Sequence, residues 1–69
     1  MKRLALYRKA AGFTQAELAF RVGVRRLQIC RLEAGQTNGS VSLWMRIQEV
    51  LGLSPSEIVD AMRNKEDKE

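Results

Sequence analysis

Two short stretches with helical periodicity meet at a glycine in the middle of this chain, within residues 13–35. Neither stretch is long enough to be stable as an isolated helix, so the two must pack on each other and on the rest of the chain. Ala19 is small enough to let the next helix approach, and Gly23 can adopt a left-handed turn that would cost another residue about 1 kcal/mol. Val24 and Ile29 can fill the space between the pair. These features predict a helix-turn-helix.

Helical periodicity continues on both sides of this motif, and no stretch alternates as a strand does. Glycines, a capping box at Thr14 to Glu17, and the pair Ser54-Pro55 mark where helices end and begin. The predicted helices are the first over residues 2–11, the second from the cap Thr14 to Gly23, the third over residues 25–34, the fourth from the cap Ser40 to Gly52, and the fifth from the cap Ser54.

The apolar faces of these helices predict an all-α fold, a compact five-helix bundle that contains the helix-turn-helix. On the fourth helix the predicted inward stripe is Val41, Trp44, Ile47 and Leu51. We expect one domain over residues 1–62, followed by a charged tail over residues 63–69 that frays.

The composition excludes several classes of site. The chain has no histidine, and Cys30 is its only cysteine, so neither a zinc site, nor a disulfide, nor a nucleophile–base pair can be assembled. Paired carboxylates and a phosphate-binding loop are also missing, so we expect no enzymatic activity, no cofactor and no metal. No apolar run is long enough for a membrane span or a signal peptide, which favours a cytoplasmic protein in which Cys30 is a small filler.

Charge is unevenly distributed along the chain. Residues 1–35 hold eight Lys and Arg against Glu17 and Glu33, whereas residues 36–62 hold only Arg46 against three acidic residues. The tail carries equal numbers of both signs, and the net charge is +4. This asymmetry favours a basic face that meets a polyanion, although an ordinary basic surface would give the same count.

The third helix has an unusual outward face. A helical wheel places Ile29 and Leu32 inward, with Glu33 at the margin. Arginine can bond guanine through two acceptors, and a leucine can lie against a thymine methyl group. The outward residues therefore predict a helix that enters the major groove of DNA: Leu27, Cys30, Arg31 and Ala34, with Arg26 at the exposed tip.

Four segments in this order, "TQAELA", "GV", "ICRLEAG" and "LGLSPSEI", resemble the phage repressor and Cro-type helix-turn-helix family. The similarity covers about residues 4–59. It implies a lambda repressor-like domain that binds a pseudo-palindromic operator in double-stranded DNA as a homodimer. The resemblance places the family's base-reading positions on Arg26, Leu27 and Arg31.

The same resemblance implies contacts with the DNA backbone, but the sequence departs from the family there. Arg25 stands where a capping serine or threonine is common, so we expect the third helix to lose about 1 kcal/mol at its start. The loop after Gly35 is neutral, and Ala34 cannot donate to phosphate, which weakens the clamp on that side. The predicted backbone-contacting residues are Gln15, Arg25, Gln28, Gln36, Thr37 and Asn38.

Two further expectations are structural. The resemblance implies an internal salt bridge between Arg8 and Glu33 that fixes the angle between the first and third helices. Apolar surplus near the chain end would make a dimer interface. The candidates for that interface are Leu53, Ile58, Val59 and Met62.

Two functions remain open from the sequence. The first is a sequence-specific transcriptional regulator, a repressor in particular, whose third helix reads bases. The second is an antitoxin or accessory protein-interaction module that binds a protein partner and meets DNA only weakly, which the neutral loop favours. The same fold serves both functions, and the salt dependence of DNA binding separates them.

Overall fold

The computed structural model describes residues 2–64, within which it has five helices and no named strand. The predicted all-α class and helix order are confirmed, and no helix in this range combines the length and apolar character needed to cross a membrane. Met1 and residues 65–69, most of the predicted frayed tail, lie outside the described residues. The helices are α1 (Leu4–Ala10), α2 (Gln15–Val22), α3 (Arg26–Ala34), α4 (Val41–Leu51) and α5 (Pro55–Ala61).

Side-chain caps start three of the helices where the sequence predicts them. At α2 the Thr14 hydroxyl accepts from the Glu17 amide at 3.0 Å, and the Glu17 carboxylate accepts from the Thr14 amide at 2.8 Å. Ser54 caps α5 in the same reciprocal way, and the Ser40 hydroxyl accepts from the Leu43 amide at the start of α4. These bonds satisfy amides that a helix leaves without partners in its first turn.

The core joins all five helices, and Trp44 lies in it as predicted. Val41 does not, since it is 76% exposed, so its place in the predicted inward stripe of α4 is wrong. It is the first residue of α4, beyond the end of the buried stripe. The buried apolar residues are Leu4, Ala5, Leu18, Ala19, Val22, Ile29, Leu32, Trp44, Ile47, Ile58 and Ala61.

A polar cluster joins α1 to α5. Arg3 Nε lies 2.9 Å from Asp60 Oδ2, and the Tyr7 hydroxyl donates to the same oxygen at 2.7 Å. The hydrogen bond from Tyr7, followed by that from Arg3, lowers the pKa of the Asp60 carboxyl, and the same bond raises the pKa of Tyr7. The cluster thus joins α1 to α5, and none of its three side chains belongs to α3.

Candidate DNA-binding surface

The turn between α2 and α3 has the predicted mechanics. Gly23 has a φ of +91°, in the left-handed region, and its amide donates to the Ala19 carbonyl at 2.8 Å. The Val24 amide shares that acceptor at 2.9 Å. Ala19 and Ile29 are buried, so the small residue and the apolar plug close the gap between the two helices. The tight turn therefore fixes the direction of α3.

The buried and exposed sides of α3 follow the predicted wheel except at Cys30, which was predicted to face outward and is half-buried. Ile29 and Leu32 are fully buried, and Glu33 is 1% exposed. Leu27 is 52% exposed, which is a large apolar surface for a residue between arginines. Cys30 is half-buried, and the exposed residues of this helix are Arg26, Leu27, Gln28, Arg31 and Ala34.

The start of α3 differs from the expectation that it has no cap. The Arg25 side chain cannot accept a bond from the helix amides, but the Gln28 side-chain oxygen accepts from the Arg25 amide at 3.0 Å. This is one half of a capping box, so the predicted loss is offset in part. Because the side-chain oxygen of Gln28 is occupied, its NH₂ group remains as the donor for a ligand.

Arg8 and Glu33 form the predicted ion pair between α1 and α3. Arg8 Nε lies 2.6 Å from Glu33 Oε2, and Nη2 lies 3.2 Å from Oε1. The third donor of the guanidinium, Nη1, reaches the Phe13 carbonyl at 2.8 Å. Both side chains are almost wholly buried, so this bidentate pair replaces the hydration that each charge loses.

Gln15 connects this buried pair to the surface. Its Nε2 donates to Glu33 Oε1 at 3.0 Å, and its Oε1 accepts from Arg26 Nη1 at 3.4 Å. The predicted phosphate contact of Gln15 would therefore use the second hydrogen of its NH₂ group. A chain of hydrogen bonds thus runs from Arg8 on α1 through Glu33 and Gln15 to Arg26 on α3, and its last bond is long and exposed.

The loop after α3 is exposed but not loose. The Asn38 carbonyl accepts from the buried Trp44 indole at 2.7 Å, and the Thr37 hydroxyl accepts from the Gly39 amide at 3.4 Å. A Cβ atom on Gly39 would lie 3.0 Å from Leu32 and 3.1 Å from the indole nitrogen, at a φ of +72°. The core thus positions the loop that contains Gln36, Thr37 and Asn38 beside α3.

The HTH_3 helix-turn-helix family model matches residues 4–58. The chain belongs to this family. An uncharacterized HTH-type transcriptional regulator of Methanothermobacter thermautotrophicus is 50% identical over 46 residues, which are 67% of this chain and 67% of that protein. The predicted resemblance to the Cro-type family is thereby confirmed. Membership supports a DNA-binding regulator rather than an enzyme.

The structure corrects one of the predicted dimer candidates in this helix-turn-helix protein. Ile58 is 8% exposed and packs in the core, so it offers almost no surface to a second chain. Its neighbour Val59 points outward and is exposed, because adjacent helix positions differ by about 100°. Leu53 and Met62 are half-buried. The four candidates therefore contribute very unequally to the surface.

Two exposed residues of the helix-turn-helix protein occupy surface positions that the sequence did not single out. Arg46 on α4 lines the same cleft as Arg31 and Gln28. The sequence could have indicated this position, because Arg46 lies off the apolar stripe of α4 and is the only Lys or Arg in residues 36–62. Phe20 on α2 is 85% exposed, which its position two residues after the buried Leu18 would have indicated.

Proposed function

We propose that this helix-turn-helix protein is a sequence-specific transcriptional regulator, a repressor that occupies its operator as a homodimer. Family membership supports DNA binding, and the exposed face of α3 is the observation that carries the finer proposal. Arg26 and Arg31 there lie within ion-pair distance of no carboxylate among residues 2–64. A helix that exposes two such arginines beside an exposed leucine suits the floor of a major groove.

The base-reading roles follow from the chemistry of each side chain. Arg26 and Arg31 donate to O6 and N7 of guanine, and each bidentate pair contributes about 1–3 kcal/mol of discrimination. Leu27 lies against a thymine methyl group, which accounts for its exposed apolar surface. Half-buried Cys30 and exposed Ala34 are small, so the helix axis can come close to the base edges.

The backbone-contacting roles involve groups around this face. Gln15 is at the first position of α2, where helix amides and the helix dipole favour an anion. The NH₂ group of Gln28 and the guanidinium of Arg25 donate to phosphate at the start of α3. In the loop the donors are neutral ones from Gln36, Thr37 and Asn38. These contacts set the register but do not select sequence.

Dimerisation is proposed through Val59, with Leu53 and Met62 at the edge of the contact. A two-fold dimer places two copies of α3 in successive major grooves, with half-sites about 34 Å apart. Such a protein acts on the chromosome, so we place it in the cytoplasm. It needs no cofactor, because binding combines phosphate neutralisation with direct readout.

A specific observation favours a second function, that of an accessory module which binds a protein. Phe20 is exposed beside Phe13 and Ala16 around a shallow cleft of about 390 Å³, and the Arg21 guanidinium lies 5.3 Å from the Phe13 ring centre. Exposed aromatic residues are enriched at protein–protein interfaces. In this alternative the arginines of α3 neutralise phosphate without reading bases.

Selection from a pool of random duplexes at near-physiological salt tests the proposal. The purified chain is incubated with the pool, and the bound molecules are recovered and sequenced. We expect a two-fold-symmetric motif with guanines spaced for Arg26 and Arg31. Recovery of no motif, together with binding that vanishes as salt rises, would reject the sequence-specific regulator and favour the accessory module.

A further inference from the structure

A polar cleft beside α3 lies between that helix, the following loop and α4. It has a volume of about 770 Å³. Gln28 and Arg31 line it from α3, the loop contributes residues 37–40, and Arg46 enters from α4. Two guanidinium groups from different helices therefore face one cleft beside the proposed base-reading surface.

Arg46 differs from the arginines that hold the bundle together. Arg3 and Arg8 each lie within 3 Å of a carboxylate, at 2.9 and 2.6 Å. Within residues 2–64, no carboxylate lies at ion-pair distance from Arg46. It donates only two long bonds to neutral oxygens, at 3.3 Å to the Val22 carbonyl and 3.4 Å to the Ser42 hydroxyl. A guanidinium has five N–H donors, so Arg46 retains donors for an anion.

The guanidinium of Arg46 lies at the end of α2. Its bond there is to the Val22 carbonyl, where the helix dipole favours a cation. That carbonyl precedes Gly23, and a Cβ on Gly23 would lie 3.8 Å from Arg46 Nη1. The fold therefore brings this charge to the turn that precedes α3.

The charge distribution gives this position its significance. Arg46 is the only Lys or Arg in residues 36–62, and the loop that follows α3 contains no cation. The fold brings that single charge from the acidic half of the sequence to the side of the basic half. It thus supplies a charge next to the loop that lacks one.

We propose that Arg46 forms, with Gln28 and the loop at residues 37–40, a subsite for one phosphodiester group of the DNA backbone. This inference rests on the proposed DNA binding, and it adds a residue of α4 to the backbone contacts that the sequence predicts for Gln28 and the loop. The subsite strengthens binding to every sequence equally, because a phosphate carries no base identity.

The test compares Arg46→Gln with the charge-matched control Arg63→Gln, an exposed arginine after α5 that does not line the cleft. Affinity for a random-sequence duplex is measured at several salt concentrations. We expect Arg46→Gln to bind about tenfold more weakly at low salt. The negative slope of log affinity against log salt should become shallower by about 0.9, because one phosphate contact is lost. The slope for Arg63→Gln should stay closer to that of the wild type than the slope for Arg46→Gln does.

Three further measurements separate the possible failures. Arg46→Lys, which keeps the charge, should restore most of the slope, and circular dichroism at the assay temperature should show that each variant is folded. A methylphosphonate, which removes the charge of one phosphate, is placed at each linkage of the duplex in turn. At one linkage this change should weaken DNA binding by the wild type but should not weaken binding by Arg46→Gln any further. Equal slopes for Arg46→Gln and Arg63→Gln, with a wild type that binds DNA, would overturn the subsite alone. A wild type that binds no duplex at any salt would overturn the proposed function as well.

Discussion

Four arginines of this protein form two groups that differ in their partners. Arg3 and Arg8 each bond a carboxylate on a distant helix, and Arg8 is buried with Glu33. Arg26 and Arg31 are exposed and have no carboxylate partner among the described residues. The first group uses donors to join helices, whereas the second is the group that we propose contacts DNA. The arginines of residues 1–35 therefore differ in their structural role, which the charge count alone does not reveal.

Gln15 is the point where the two groups meet. It donates to Glu33 and accepts from Arg26, so the buried pair and the proposed base-reading face share one amide. A buried ion pair is weak evidence for stability, because desolvation offsets much of its attraction, but it can fix a geometry. We infer that the Arg8–Glu33 pair sets the angle at which α3 is presented.

The largest expected effect is on stability. Glu33→Gln leaves the Arg8 guanidinium buried without a counter-charge, so the free energy of unfolding should fall by about 3–5 kcal/mol. Urea unfolding followed by circular dichroism measures it, with the exposed Glu49→Gln as the control. If Glu33→Gln lowers the free energy of unfolding no more than the control does, the Glu33 carboxylate is not needed to stabilise the buried Arg8.

The next effect is on sequence preference. Arg31→Ala removes an exposed side chain, so stability should change by no more than about 0.5 kcal/mol. Discrimination at one base pair should fall by about 1–3 kcal/mol, while the other positions of the site keep their preference. A base-substitution series on the selected duplex measures this. Unchanged preference at every position would show that Arg31 does not read a base.

A smaller effect involves Gln28, which bonds the start of α3 and is also proposed to contact phosphate. Gln28→Ala removes the bond to the Arg25 amide and should lower the free energy of unfolding by about 0.5–1 kcal/mol. Binding should weaken to a similar extent for all sequences, because Gln28 is assigned to phosphate. Thermal unfolding and duplex titrations measure the two parts. A change confined to one base pair would reassign Gln28 to base readout.

The smallest effect is at the Arg3–Tyr7–Asp60 cluster, and it depends on pH. Because the pKa of Asp60 is lowered by folding, its contribution to stability is present above the usual aspartate pKa and is lost as the pH falls through the lowered value. Because the pKa of Tyr7 is raised, its contribution is lost as the pH rises through that raised value.

Asp60→Asn should therefore reduce stability at neutral pH, with a deficit that narrows as wild type is acidified. Urea midpoints for wild type and Asp60→Asn at a series of pH values measure this difference. DNA affinity at neutral pH should be unchanged, since the cluster side chains bond one another and none of them lines the cleft beside α3. A deficit that widens in acid would contradict the assigned sign of the pKa shift.

Much of the fold could be predicted because its signals are local. Thr14, Ser40 and Ser54 start helices and Gly23 ends one, each through bonds that span only a few residues. The wheel of α3 also predicted which side is exposed, since helical periodicity alone determines it. Val41 failed because periodicity does not show where along a helix the core ends.

The candidate site was less predictable where it depends on how helices pack. The Arg8–Glu33 pair spans 25 positions, and only the family resemblance indicated it. The link through Gln15 requires α1, α2 and α3 to meet, which no local pattern encodes. Arg46 counts as part of an acidic half in the sequence, and only the packing of α4 against α2 brings it to the cleft beside Arg31.

A map of backbone amide chemical shifts tests the central claim most directly, that the unpaired arginines of α3 face DNA. Isotope-labelled protein is titrated with the selected duplex, and the shift of each amide is recorded. We predict the largest changes in α3, at the start of α2 and in the loop at residues 36–40. Changes confined to α5, or to the surface around Phe20, would contradict the account.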